Sequence, residues 1–422
     1  MSVKSIKTIS INARIALVVV SLLLILLCFF TVKWTLANTL AKNSQFKELS
    51  QIAIGWSPND PQTHYSLAAI EEKTLIPDDF PRAVENYEKA AALSPNNYLL
   101  WLQLGRARER NGDIEGAEKA LKKAIELAPN YSENHWTLGN ILLRQGKNDD
   151  AFTEIRKAAE TDAKYVNPAV SAAWQTFDGD VSAISSKIGD SAEIKSALAI
   201  FSAKQQRFDE ALNFWNALPE NDKKTKFKQN GTDLVNAFIA NKKFRAASIV
   251  QSQISEAEAD KMSVGKFTNF GFETNVNLVN ATAFEWQIAD ATQPQIGVDN
   301  KQKHEGNQSL VIVFNSTDGK DFRQISQTVA VESGKKYQFQ TFYRSELKAN
   351  STVKWEVLDA SDNKVLATTS AVSANSDWHN LTADFTTLPT TEAVIVRLLR
   401  VSCGSSVCSI SGKIWFDEFS FQ

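Results

Sequence analysis

Phosphate-cradling glycine loops, nucleophile elbows, metal-ligand clusters and redox cysteine pairs are all missing from this chain, and with them the common signatures of catalysis. There are only three cysteines and four histidines, His64, His135, His304 and His379, in 422 residues. A glycosidase would need two carboxylates facing each other across a cleft, and no such pair stands out. The acidic pairs Asp78-Asp79 and Asp149-Asp150 fall in expected inter-helix turns and read as solvated turn residues. Long basic blocks are absent and the formal charge is −2, which argues against a nucleic-acid partner. Proline and glycine are sparse, at 10 and 17, and no low-complexity tract occurs. The chain is therefore expected to be folded rather than linker-like, with length for two or three domains.

What is present is repetition. Three stretches open alike: Pro58, His64, Leu67 and Ala68; then Pro95, Trp101, Leu104 and Gly105; then Pro129, His135, Leu138 and Gly139. Leu104 and Leu138 lie 34 residues apart, as do Gly105 and Gly139. The same step relates Ala83, Ala117 and Ala151, and Ala90, Ala124 and Ala158, with Tyr87, Leu121 and Ile155 between them. Small residues at Gly105 and Ala117 let two helices approach closely. A repeat that cannot bury its own apolar face stacks on its neighbours, and such stacks make binding surfaces.

This pattern resembles the tetratricopeptide repeat, a helix-turn-helix of 34 residues. Arg108 replaces the family's usual aromatic. The first copy carries three extra residues between its helices, within 73–81. The third ends at Asp162-Ala163 without the terminal proline. We read 61–163 as three repeats. Residues 164–262 are read as degenerate helical repeats or a cap, because Arg207–Ala211 and Lys243–Ala247 echo Asp113–Ala117. The resemblance implies a peptide-binding groove lined by Leu102, Arg106, Arg110, Trp136, Asn140 and Arg144. The alternative for Trp136 is packing between repeats. The residues do not match the two-carboxylate clamp of chaperone-binding members.

Residues 15–32 carry no charge and are bracketed by Arg14 and Lys33, with Trp34 following. Eighteen residues at ~1.5 Å each nearly cross a hydrocarbon core. The run exceeds a usual signal-peptide core. It is read as an uncleaved signal anchor over 15–32, with a cytoplasmic tail over 1–14; the alternative is cleavage after Ala37 or Ala41. Basic residues tie across the run, at Lys4, Lys7 and Arg14 against Lys33, Lys42 and Lys47. The expected topology, with the bulk of the chain periplasmic or extracellular, rests on the carboxy-terminal domain and on Cys403 and Cys408. These two either close a small disulfide loop or stay as thiols. Residues 33–60 read as a juxtamembrane helix or half repeat, since Ala53 sits where a second helix would place its alanine.

Near residue 263 the texture changes to Val, Thr, Phe, Trp and Asn with period-two runs, as in 337–344, 351–358 and 392–399. Turn clusters separate them, so 263–422 is expected to be a β-sandwich. The landmarks Asn269 to Glu273, Trp286, Gly306 to Val313, Val331 to Arg344, Trp378, Phe385 and Lys413 to Phe421 resemble the jelly-roll carbohydrate-binding modules attached to xylanases and β-glucanases, a galactose-binding-like fold. That resemblance implies a structural calcium at Glu273 and Asp417, where oxygen ligands suit the ion; otherwise Asp417 caps a turn. It also implies a glycan site. By alternation Gln338, Gln340, Phe342 and Arg344 share one face and Tyr337, Phe339, Thr341 and Tyr343 the other. If the second set is core, Gln340 and Arg344 face a glycan-binding cleft. Trp355 and Trp415 read as core, while Trp286 and Trp378 stay open as sugar platforms.

The expected molecule is a non-catalytic, membrane-anchored scaffold. Its groove takes a protein partner and its sandwich a polysaccharide, in cell-surface polysaccharide or envelope assembly. The alternative is a purely protein-protein assembly factor whose sandwich binds no glycan.

Overall fold

The computed structural model describes residues 10–74, 76–255, 262–274, 276, 281–316, 322–349, 351–401 and 408–422. It divides into two compact units, Met1–Asp190 and Ser191–Gln422.

The first unit is helical: α1 Ile11–Asn43, α2 Lys47–Trp56, α3 Pro61–Glu71, α4 Asp79–Leu93, α5 Tyr98–Arg110, α6 Ile114–Leu127, α7 Ser132–Arg144, α8 Asn148–Thr161, α9 Val166–Thr176 and α10 Val181–Ile188. Consecutive helices pair as hairpins, and the periodic alanines explain how closely. Ala83, Ala117 and Ala151 are at most 1% exposed. A Cβ on Gly105 would lie 2.7 Å from Leu121 Cγ, and one on Gly139 would lie 2.6 Å from Ile155 Cγ1. Only hydrogen fits at these crossings. Asn97 and Asp113 cap α5 and α6 by accepting from Leu99 and Gly116 N–H groups.

The apolar run is the front of one long helix. α1 continues past Val32 to Asn43, and its last turns are built into the array. Ala37 and Ala41 are 0% and 2% exposed, and Asn38 Nδ2 donates to Asp60 Oδ2 at 2.8 Å. α2 folds back on α1 and buries Ser50 and Ala53. Lys47 on α2 reaches Asp79 at 2.5 Å and Glu71 at 3.2 Å, tying the hairpin to α3 and α4.

The second unit starts with α11 Ala192–Lys204, α12 Phe208–Asn216, α13 Glu220–Lys224, α14 Lys228–Ala240 and α15 Phe244–Ile254. In the echoed motifs Ala211 and Ala247 are fully buried. Gly231 takes the close-packing role, with a Cβ there 2.7 Å from Trp215.

Ten strands follow among the described residues: β1 Gln287–Ile288, β2 Gln295–Asp299, β3 Ser309–Ser316, β4 Ile325–Ala330, β5 Lys336–Ala349, β6 Thr352–Asp359, β7 Val365–Thr368, β8 Asn375–Thr386, β9 Ala393–Val401 and β10 Ile410–Phe421. They form two antiparallel five-stranded sheets, β1-β4-β9-β6-β7 and β2-β3-β10-β5-β8. The core between them is aromatic. Trp286, Trp355, Phe272, Phe339 and Phe419 are at most 2% exposed and meet edge-on or stacked. Trp286 thus belongs to the core and is no sugar platform. Trp415 is buried too, as expected, at 3% exposure, but from the other side of its sheet. It pairs in register with Arg344, so it points away from the neighbouring core residues Ile414 and Phe416, and its Nε1 donates to Asp299 Oδ2 at 2.9 Å.

Candidate binding surfaces

The repeat groove is built from α3, α5 and α7. The structure gives its expected basic residues intramolecular partners. Arg106 donates to Glu133 Oε1 at 2.5 Å and to Thr137 Oγ1 at 3.4 Å. Arg110 pairs with Glu72, and Arg144 pairs with Glu109. Each of these pairs joins adjacent repeats, so the arginines form a neutral ladder rather than an open cation trap. Burial opposes the charge of Glu133, yet Arg106 outweighs it and holds the carboxyl below its ordinary range. Asn140 donates to the Trp136 carbonyl at 2.9 Å. Trp136 is half-buried and stacked on Tyr165, centroids 5.2 Å apart at 24°, the packing alternative of the sequence. Leu102 corrects the expected groove lining. It is 1% exposed and packs in the cluster of Ala117, Leu121, Leu138 and Ile141. A leucine on a helix with neighbours on both sides is drawn to the inter-helix core, which repeat spacing alone does not reveal.

One repeat position carries unforeseen chemistry. Trp101 Nε1 donates to the Pro95 carbonyl at 2.8 Å. His64 and His135 place Nε2 against the carbonyls of Pro58 and Pro129, at 2.9 and 2.7 Å. Each ring thereby closes the turn that opens its repeat. The other nitrogen of His135 meets Glu154 at 2.5 Å, which raises the imidazole pKa against the opposing effect of burial.

The second surface is the outer face of the β2-β3-β10-β5-β8 sheet. Tyr337, Phe339, Thr341 and Tyr343 point into the core, at 8% exposure or less. Their neighbours Gln338, Gln340, Phe342 and Arg344 therefore share the outer face. His304, from the loop after β2, stacks on Phe342 at 3.9 Å and 11° and meets the edge of Trp378 at 5.6 Å. Beside this aromatic group Arg344 pairs with Asp377 at 2.5 Å and with Glu346 at 3.4 Å. Gln340 Oε1 accepts from the Gln422 side chain at 2.7 Å. Trp378 and Phe342 lay within sequence runs already in view. His304 carries no periodic signal, because only the loop's return over the sheet brings it there.

Glu273 and Asp417 both border Gly271. The point where a Cβ on Gly271 would sit is 3.5 Å from Asp417 Oδ1 and 4.0 Å from Glu273 Oε1. Asp417 is 1% exposed. It accepts from the backbone N–H groups of His304 and Glu305, at 2.9 and 3.2 Å, and from Glu418 at 2.9 Å. Burial pushes its pKa above the ordinary carboxylate value and the charge of Glu418 adds to this, against those three N–H groups. At Glu273 burial is outweighed. The N–H groups of Asn307 and Gln308 and the Asn307 amide hold its carboxyl below the ordinary range. Both carboxylates thus border Gly271 with each of their oxygens accepting from an N–H group. Cys408 is disulfide-bonded and Cys28 is a free thiol; Cys403 lies outside the described residues.

Comparison with known proteins follows this division. The tetratricopeptide repeat model matches residues 75–138 and 109–173, and a carbohydrate binding domain model matches 265–399. The chain is 27% identical over 92 residues to the peroxisomal targeting signal receptor of Saccharomyces cerevisiae, covering 22% of this chain and 14% of that one. It is 30% identical over 81 residues to the E3 ubiquitin-protein ligase CHIP of Arabidopsis thaliana, covering 19% and 29%. The chain thus spans less than a third of either relative. Among solved structures, MamA protein aligns at 16% identity and TM-score 0.31 over 46% of this chain and 94% of that one. The CBM22-1-GH10 modules of a Clostridium thermocellum xylanase complexed with xylohexaose align at 14% and 0.26 over 38% and 29%. Both matched families are non-catalytic kinds of domain. The chain carries tetratricopeptide repeats in its helical part and a carbohydrate-binding domain in its carboxy-terminal sandwich.

Proposed function

We propose that this protein is a non-catalytic, membrane-anchored adaptor that joins a protein partner, held by the repeats, to a polysaccharide held by the sandwich, in cell-surface or envelope assembly. The observation that carries the reading is the outer sheet face, where His304, Phe342 and Trp378 lie beside Arg344 and Gln340. Sugars present apolar ring faces edged by hydroxyls, and an aromatic group flanked by planar hydrogen-bonding side chains matches both. The neutral arginine ladder favours a partner that is not strongly acidic, since an acidic peptide would have to displace Glu72, Glu109 and Glu133.

Anchoring is supported by the burial of Ala37 and Ala41, because cleavage after either would strip core side chains from the array. The disulfide at Cys408 suits an oxidising compartment and so an external location for the bulk of the chain. Glu273 and Asp417 would hold a structural calcium, whose charge would compensate the buried Asp417 carboxylate. That carboxylate holds the backbone of His304, so the ion would also steady the aromatic group.

The test is binding of the detergent-solubilised full chain to a polysaccharide panel, with and without a calcium chelator. Saturable binding that drops at least about tenfold in Arg344→Ala and in Trp378→Ala supports the reading. Absence of binding to every glycan, with the fold intact, overturns it in favour of a protein-only adaptor.

A further inference from the structure

The outward face of α2 is the wrong way round for a soluble repeat. Its buried side is small, Ser50 and Ala53. One exposed flank is large and apolar: Leu49, Ile52 and Trp56, with Phe46 just before the helix, are 36%, 46%, 44% and 66% exposed. End repeats of a solenoid ordinarily turn a polar face outward. The groove between α1 and α2, about 570 Å³, is likewise lined by Leu36, Leu40, Leu49 and Trp56.

The covalent path says what lies next to this face. α1 is unbroken from its apolar run, through Trp34 and Leu36, to Asn43. Leu36 lies four residues beyond Val32, about 6 Å along the axis. The headgroup layer of a leaflet is about 5–8 Å deep beyond the hydrocarbon. After the short turn at 44–46, α2 runs back toward the apolar run, and its last residue Trp56 shares the groove with Leu36. The hairpin therefore returns Trp56 to the level of Trp34 and Leu36, which are 53% and 52% exposed. Tryptophan is the residue that settles at that depth, with an apolar ring and a polar N–H.

We propose that Trp34, Leu36 and Trp56 seat the first helical hairpin in the lipid headgroup layer of the membrane that α1 spans. The proposal rests on the anchor reading above. It adds a lipid-binding surface, made by the fold itself, that grips the array at a second point beside the anchor and restricts its swivel.

The experiment places a nitroxide label at position 56 (Trp56→Cys), in a Cys28→Ser background. The full chain is reconstituted in phosphatidylcholine nanodiscs. Labels at Leu24→Cys and Lys89→Cys serve as references for the bilayer interior and for water. The expected result is a loss of nickel-complex collisions and a gain of oxygen collisions at 56 relative to 89. Nickel access at 56 equal to that at 89, with position 24 still in the bilayer, overturns the seat and leaves the anchor standing. Water exposure at position 24 as well removes the anchor, and the seat with it. Dipolar broadening between labels at 56 overturns the lipid seat in favour of a contact between two copies.

Discussion

At positions 64, 101 and 135 the side chain changes between histidine and tryptophan while the bond it makes does not. A ring N–H closes onto the carbonyl of the proline six residues earlier. This conserves geometry without conserving residue type, so the sequence could suggest packing but not its agent. His135 adds a charge partner, Glu154, which raises its pKa. A raised imidazole contributes stability that is complete below its ordinary value near 6.5 and fades as pH climbs through the raised one. Glu154, whose pKa is lowered, works at the other end, and its contribution fades only in acid. The expected outcome is a melting temperature that declines above neutral pH more steeply in the native chain than in His135→Trp, which keeps the proline bond but cannot titrate. Equal slopes in thermal scans across that range would remove the assigned role. Gly139 faces backbone as well as side chain, the Ala151 carbonyl at 3.1 Å beside Ile155 Cγ1 at 2.6 Å. Gly105 faces the Leu121 side chain first. Overpacking costs about 1–3 kcal/mol, against a helix-propensity gain of about 1 kcal/mol for alanine. Gly139→Ala should lose stability in urea titrations, and Gly105→Ala should lose less, because a side chain yields more readily than backbone.

The element that repeats most faithfully is the turn between the helices of a pair. Residues 112, 146, 206 and 242 all take positive φ, at 85°, 74°, 60° and 60°. The next residue is held by the preceding helix in the same way, as in Asp113 N–H to the Arg108 carbonyl and Lys243 N–H to the Phe238 carbonyl. In the well-matched repeats the left-handed residue is glycine; in the later ones it is Gln206 and Lys242. The same turn geometry is thus made there without glycine. A side chain in this conformation costs about 1–2 kcal/mol, partly offset by glycine's greater entropy loss. Gln206→Gly should therefore stabilise the chain by about 0.5–1 kcal/mol in urea titration; a loss would show that the Gln206 side chain is held by something beyond the turn. In the sandwich, alternation along β5 gave the correct face for Gln340 and Arg344. It could not give the partners, Asp377 and Gln422, which come from β8 and the end of β10.

At the scale of the molecule, α1 is both a candidate membrane span and part of the first hairpin. Its apolar run is exposed all round, whereas Ala37 and Ala41 are packed. A chain starting at Lys33 should keep the melting temperature of the full array, while one starting at Ser44 should melt lower because the hairpin loses its first helix. Identical melting curves would mean that the α1 contact contributes nothing to the fold. The same construction explains why the groove resisted reading from sequence. The positions of Arg106, Arg110 and Arg144 followed from the 34-residue step, but their neutralisation depends on Glu133, Glu72 and Glu109 in adjacent repeats.

The sequence by itself determined the order of parts: an apolar run, helices at a fixed step, then strands of period two. These are local properties, set by side-chain size and spacing, and they survive without knowledge of neighbours. Tertiary structure decided what each face does. It buried Leu102 and Trp286, buried Trp415 on the side of β10 opposite Ile414 and Phe416, and brought His304 onto Phe342. It also folded α2 back so that Trp56 meets Leu36. Each outcome depends on contacts between residues far apart in the chain, where loop return and helix crossing, not periodicity, choose the partner.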